Sequence, residues 1–320
     1  MLPTTGLEGR LLLKKNPADY HTRRVRVKRD ANTVSIVPEG DIINFKTMMG
    51  YRTPAKVEDV LKGIDSPEGY LFANMGVSAS VQLQHNGEEY AVAVAQFRKD
   101  LCDHVFKLIS GYTPIETLTT PLDVIILEIA EEFLPITWDG KFVSGVFDGK
   151  QMPRPYAEVN AYEDAHPFAV AAAEHASYKR LSLDQRTLLM NGKEMPGNPH
   201  IYYQAPVNGA QLVYPLSIQV DLDTVAGISH AETKKAAHLR HAEDKFAGGL
   251  LNAYLDPEPL CLLKLQDGRL NGEAYMFGAG KLEKVDSTGF MLSEAFMPSS
   301  VHDGIIPQPN ISLADYLAKK

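Results

Sequence analysis

Between Thr120 and Pro135, Leu122, Ile125, Ile126, Ile129 and Phe133 recur at helical spacing and form one apolar stripe. A helix of this kind must find a surface to cover, so it constrains every neighbouring element. Its start is marked by Thr120 as N-cap, Pro121 at the first helical position and Asp123 placed as in a capping box. Pro135 is expected to stop it. Glu128, Glu131 and Glu132 fall at i, i+3 and i+4 and share one flank beside the stripe. Three like charges on one flank repel unless they are neutralised or solvated. Hard divalent cations such as Mg²⁺ or Mn²⁺ neutralise carboxylates well; a solvated surface face is the commoner use of such a pattern.

The segment before the helix reads as strands. Val77, Ala79, Val81 and Leu83 alternate with Ser78, Ser80, Gln82 and Gln84, the signature of a half-buried strand. Asn86-Gly87 is a short-turn signal, and Tyr90 to Phe97 forms a second, more apolar strand. Val105 to Ile109 is a third, ending at Ser110-Gly111. The order is strand, turn, strand, loop, strand, glycine, loop, acidic helix.

That order, with Leu127-Glu128-Ile129-Ala130-Glu131-Glu132-Phe133-Leu134-Pro135 in register, resembles the Nudix hydrolase family. The family signature reads R-E-U-x-E-E-x-G-U, where U is a bulky apolar residue, after a glycine-led loop. The resemblance covers residues 77–136. It implies that Glu128, Glu131 and Glu132 coordinate Mg²⁺ or Mn²⁺, with a backbone carbonyl of Gly111 as a further ligand, and that Glu128 is the candidate general base. Glu116 echoes a loop glutamate. Two signature positions differ: Leu127 replaces the arginine that steadies the acids by charge pairing, and Leu134 replaces the glycine that ends the helix. The stretch from Gly111 to Glu128 is also two residues longer than the family spacing.

A length of 320 residues suits one large decorated domain or two smaller ones. The hydrophobic share of 44% and charged share of 22% are those of an ordinary globular protein. A formal charge of −8 argues against nucleic acid as a partner. Cys102 and Cys261 are the only cysteines, which fits a reducing cytoplasm better than a disulfide framework. With no apolar leader and no run of membrane-spanning length, a cytoplasmic protein without a membrane partner is expected.

The remaining chain falls into an N-terminal extension (1–70), a central domain (71–255) with an insertion at about 151–199, and a small β-rich unit (256–320). Strands are expected at Arg10–Lys15 and Val25–Val37, with Arg24, Arg26 and Lys28 on one strand face. Such a basic face can hold phosphates or serve as a solvated sheet edge. A short helix is expected at Thr53–Lys62 and loops at Lys46–Tyr51 and Ser66–Tyr70. Trp138–Lys150 suggests turns or a tight hairpin. Within the insertion, an alanine-rich helix is expected through His166–His175 and another at Leu181–Leu189. Glu158, Glu163 and Asp164 are acids there able to face the site. Strands at Ile201–Gln204 and Gln211–Val220 flank Asn208-Gly209. A long helix is expected at Ser229–Tyr254, where His238 and His241 have chelating spacing amid lysines and an arginine. Leu260–Leu265, Glu273–Phe277 and Lys281–Val285 suggest an antiparallel unit, and Leu313–Lys319 a terminal helix.

The fold expected is α+β, a Nudix-type mixed sheet sandwiched by helices. Three function classes follow. The first is metal-dependent hydrolysis of nucleoside diphosphate-linked compounds, with Tyr156, Tyr202 or Tyr203 available to stack on a base. The second is a Nudix-like module that binds a nucleotide or a protein without cleaving it, which Leu127 and Leu134 favour. The third is an interaction protein in which residues 128–132 are simply surface. The oligomeric state is left open, a homo-oligomer being one option.

Overall fold

The computed structural model describes residues 20–98, 103–138, 146–147, 150–151, 175–178, 187–197, 199–204, 207–219, 222–229, 260–293, 305–306 and 310–318. Strands outweigh helices, giving a mixed α+β protein. No helix among the described residues is long and apolar enough to cross a membrane. The expected strand at Arg10–Lys15, the acids Glu158, Glu163 and Asp164, Tyr156, and the histidines of the expected Ser229–Tyr254 helix lie outside the described residues.

The N-terminal sheet is built on β1 (His21–Arg29) and β2 (Thr33–Asn44), an antiparallel pair. Val25, Val27, Val34 and Ile36 are buried, while Arg24, Arg26 and Lys28 take the opposite face, as their alternation requires. A register shift between Thr22 and Arg24 lets Thr22 point inward with the valines despite its even number. Residues 46–51, expected as a loop, lie in helix α1 (Phe45–Tyr51) instead. The Asn44 side chain caps it by accepting the Thr47 N–H at 2.9 Å, a stop-and-start signal hidden at the end of a strand. Helix α2 (Val57–Ile64) follows, with Glu58 and Asp59 in its first turn and Lys62 in its last, all three favourable to the helix dipole. β3 (Tyr70–Phe72) pairs with β1.

The larger sheet begins with β4 (Asn74–His85), turns at Asn86-Gly87 and returns as β5 (Glu88–Arg98). Both turn residues have positive φ, 50° and 78°, the backbone that a two-residue hairpin needs. Pairing runs only from His85↔Glu88 to Gln82↔Ala91, after which the two strands part. The fork between them is filled by one run of chain. β6 (Asp103–Lys107) pairs antiparallel with β5, and β7 (Ile109–Tyr112), only Leu108 further on, pairs antiparallel with β4. On its other edge β4 meets the strand Gly209–Gln219 in parallel, in unbroken register from Asn74↔Gly209 to Gln84↔Gln219. That strand forms the expected hairpin with His200–Gln204 across Asn208.

A parallel neighbour demands a crossover. Helix α3 (Pro121–Glu132) and β8 (Leu134–Thr137) lie in the chain between the two strands. The other edge of β5 takes the strand Leu260–Gln266, antiparallel from Leu260↔Val94 to Leu265↔Glu89. Residues on both sides of the boundary expected at 255/256 therefore share one sheet. Arg269–Gly278 and Lys281–Val285 extend it as an antiparallel meander, and Leu313–Ala318 is the expected terminal helix. A short hairpin pairs Phe147 with Lys150.

Of the two helices expected in the insertion, the one at His166–His175 lies outside the described residues except for its last residue, and the one at Leu181–Leu189 is corrected where the structure describes it. His175–Tyr178 is a strand antiparallel to residues 216–219, and Thr187–Met190 is a strand parallel to β2. Sheet edges of β2 and of the 209–219 strand were open to capture these segments, and tertiary pairing overrides local helix preference.

Strand alternation divides the core in two. Val92 and Val94 of β5 join Val77, Ala79, Val81, Ile125, Ile129, Leu212 and Tyr214 in the larger cluster. Ala93 and Ala95 face the opposite way, onto Phe106, Cys261, Leu263, Leu292 and Ile311. β5 is thus covered on both faces, which explains its nearly continuous apolar sequence. Ile125 is fully buried at the contact of α3 with the sheet. Ile125→Ala is expected to cost about 2–5 kcal/mol, read as a lowered denaturation midpoint in urea.

Candidate functional site

Helix α3 lies on the β4–β7 face with Val124, Ile125, Ile129 and Phe133 buried, and with Leu122 and Ile126 packed against the same core. The expected stripe is therefore the buried one. Its start differs in detail. Pro121 occupies the first turn as expected, but the Thr120 side chain makes no capping hydrogen bond; the Thr120 carbonyl accepts the Asp123 N–H at 3.0 Å instead. The end differs too. The helix finishes at Glu132, the Phe133 N–H bonds to the Ile129 carbonyl, and the chain passes straight into β8. Pro135 sits inside that strand opposite Ile228. A residue before proline favours extended backbone, so Leu134 leaves the helix with no left-handed turn and no glycine.

The loop that leads into α3 is pinned from two sides. The Thr113 carbonyl accepts the Tyr20 hydroxyl at 3.0 Å and the Thr22 hydroxyl at 2.9 Å, and the Thr113 hydroxyl donates to the Met75 carbonyl at 2.8 Å. Burial pushes the Tyr20 hydroxyl well above its usual pKa, so it remains a donor. Glu116, in a short 3-10 turn at Ile115–Thr117, is exposed.

Gly111 was expected as a loop residue. It lies instead within β7, opposite Val77, and is not among the residues with positive φ. Its need for glycine is a close approach: a methyl group at Gly111 would overlap the Glu128 carboxylate and come within 2.8 Å of its Cγ. Glu128 is half-buried against the strand backbone. A glycine inside a strand is the usual mark of such an approach.

Glu132 is only 6% exposed, and the Lys107 ammonium of β6 stands 3.9 Å from its Oε1. This end of the acidic flank is not a solvated face. The Glu131 side chain lies outside the described residues. Lys107 carries no local pattern that would single it out; the clue is a lysine in the apolar run His104–Ile109, whose neighbours Val105, Phe106 and Leu108 are all buried.

Other expected site residues serve elsewhere. Arg26 makes a two-pronged pair with Glu39 and also donates to the Glu68 and Gly69 carbonyls at 3.2 Å. That hydrogen bonding holds the Glu39 carboxyl below its usual range. Arg29 grips Asp65 with two bonds of 2.8 Å, and Arg24 donates to the Leu71 carbonyl while lying 4.7 Å over the Tyr51 ring. These cations are engaged inside the N-terminal unit. Tyr203 is fully buried and stacked on Phe72 at 5.4 Å, a core role, and the Tyr202 side chain lies outside the described residues.

Among the described residues, no group of three or more His, Cys, Asp or Glu side chains forms a metal cluster. The donors that are placed, the Glu128 carboxylate and the main chain of β7 beside it, are hard oxygens of the class that Mg²⁺ and Mn²⁺ take. The space beside Gly111 that a methyl would need is taken by the Glu128 side chain itself. No protein-family model matches the sequence, and no curated protein matches it.

Because the atoms in the way belong to the Glu128 side chain, from Cγ to the carboxylate, and none to the backbone, Gly111→Ala is expected to displace that side chain and spare the fold. Its urea midpoint should fall by no more than about 1 kcal/mol equivalent, while the α3 amide and Glu128 carboxyl resonances shift in a carbon-detected NMR comparison with wild type.

Proposed function

We propose that the chain is a Nudix-type, divalent-cation-dependent hydrolase of nucleoside diphosphate-linked compounds. The observation that carries this reading is the seat of Glu128 against Gly111: a strand glycine on which a helical carboxylate rests, with no room for a side chain between them. The order of elements supports it, since strand, tight turn, strand, strand with glycine, pinned loop and acidic helix follow one another as the signature resemblance implies. The parallel strand beyond β4 makes the sheet mixed, as that resemblance also implies. The burial of Glu132 counts against residues 128–132 being mere surface.

The acidic flank of α3 is the proposed cation-binding side, with Glu128 and Glu131 as its carboxylate ligands and the Gly111 carbonyl as the proposed main-chain ligand; Glu132, the third acid of the signature resemblance, is buried beside Lys107 and stands outside that set. A bound Mg²⁺ or Mn²⁺ would supply Lewis-acid polarisation of the pyrophosphate and of the attacking water. The chain's own contribution is to fix α3 against the sheet by burying Ile125 and Ile129, so that the backbone carrying the acids is held in place. The pinned Thr113 fixes where the loop enters.

A binding module that does not turn substrate over is the second reading, favoured by Leu127 in place of the signature arginine. Calorimetric titration of Mn²⁺ into wild type and Glu128→Gln/Glu131→Gln, with a nucleoside diphosphate panel assayed in the same buffers, separates the readings. The hydrolase requires turnover of a panel member and a loss of Mn²⁺ affinity of about tenfold or more in the variant. Binding without turnover selects the module. Equal, negligible binding by both proteins rejects both.

A further inference from the structure

We infer that Lys107 occupies the Glu132 end of the acidic flank as a cation built into the protein, so that Glu132 anchors helix α3 and a divalent cation is confined to the Glu128 end beside Gly111. The assignment rests on the hydrolase reading for where the metal goes, but the pairing itself does not.

Three observations support it. First, the two placed acids differ in environment. Glu132 is 6% exposed, whereas Glu128 is half-buried and seated on bare strand backbone. A carboxylate shut away from water needs a compensating charge. Second, Glu132 is the last residue of α3. The free carbonyls there carry partial negative charge, which repels a carboxylate and attracts a cation. An ammonium 3.9 Å from Glu132 Oε1 answers both needs. Third, β6 aims Lys107 at this place. Lys107 pairs with Val94 of β5, whose side chain belongs to the core under α3, while the neighbouring Phe106 faces the opposite cluster.

A divalent ion on Glu132 Oε1 would lie within a few ångströms of the ammonium, in a site where little water screens them. The two cations exclude each other. At the Glu128 end, one helical turn away, the strand residue is glycine and offers no charge. Lys107 thus compensates at a distance in sequence for Leu127, which brings no charge to the flank.

The test is a double-mutant cycle on the full chain, with Lys107→Met, Glu132→Gln and the two combined, read by thermal unfolding without metal. Each single variant should lower the midpoint by about 5 °C or more, and the double variant should lose clearly less than the two losses added. Lys107→Arg should keep most of the wild-type midpoint. Mn²⁺ titration of the double variant should stay within about threefold of wild type, against a loss of about tenfold or more for Glu128→Gln. Strictly additive midpoint losses overturn the pairing. A double variant that loses Mn²⁺ as Glu128→Gln does overturns the assignment of Glu132 as an anchor. If wild type takes up no Mn²⁺, the hydrolase reading fails, and the cycle alone then upholds or rejects the pairing.

Discussion

The parting of β4 and β5 shortly after their hairpin is the constraint on which the rest of the site depends. Two strands that diverge leave unpaired backbone on their facing edges, and buried backbone must find partners. The run 103–112 supplies them, half to each strand. In doing so it lies under α3 from end to end of the acidic flank, and its residues of one parity face the helix. Lys107 meets the last glutamate of the flank and Gly111 meets the first. One strand therefore sets the electrostatics of the helix at one end and its steric freedom at the other.

The helix is held by burial on one side and by charge on the other. Ile125 and Ile129 supply the apolar contact that keeps α3 in place, and Lys107 supplies charge beside the buried carboxylate of Glu132. The N-terminal unit enters through the loop. Tyr20 and Thr22 both bond to Thr113, and Tyr20 packs edge-on against Phe45 and tilted against Tyr112. The basic face of β1 is spent on Glu39, Asp30 and main-chain carbonyls, so its contribution is to brace that unit rather than to present charge.

Much of this was legible in the sequence where the signal is local. Alternation at Val77–Leu83, the Asn86-Gly87 turn and the 3.6-residue stripe of α3 are set by side-chain period and by backbone sterics, and they appear where expected. What was not legible depends on partners far away in the chain. The strands at His175–Tyr178 and Thr187–Met190 owe their form to edges supplied by residues 216–219 and by β2. Gly111 read as a loop glycine because nothing nearby reveals that Glu128 would come to rest on it. Lys107 was invisible as a site residue because its partner lies 25 positions on, across a loop whose path no pattern encodes. Helix α1 was missed for a different reason: seven residues carry too little periodicity, and only the cap at Asn44 gave it away.

The shared strand also divides the segment into parts that differ in how they tolerate changes of length. Side chains alternate along 103–112, so inserting or deleting one residue within it would turn Lys107 or Gly111 to the far side of the sheet and strip α3 of one contact or the other. Residues 113–120 carry no such parity; they are held at Thr113 by its carbonyl and hydroxyl and again at Leu118, which is buried in the same core as Ile125. Length in β6 and β7 is thus fixed by side-chain parity, and length in the loop by where Thr113 and Leu118 are seated.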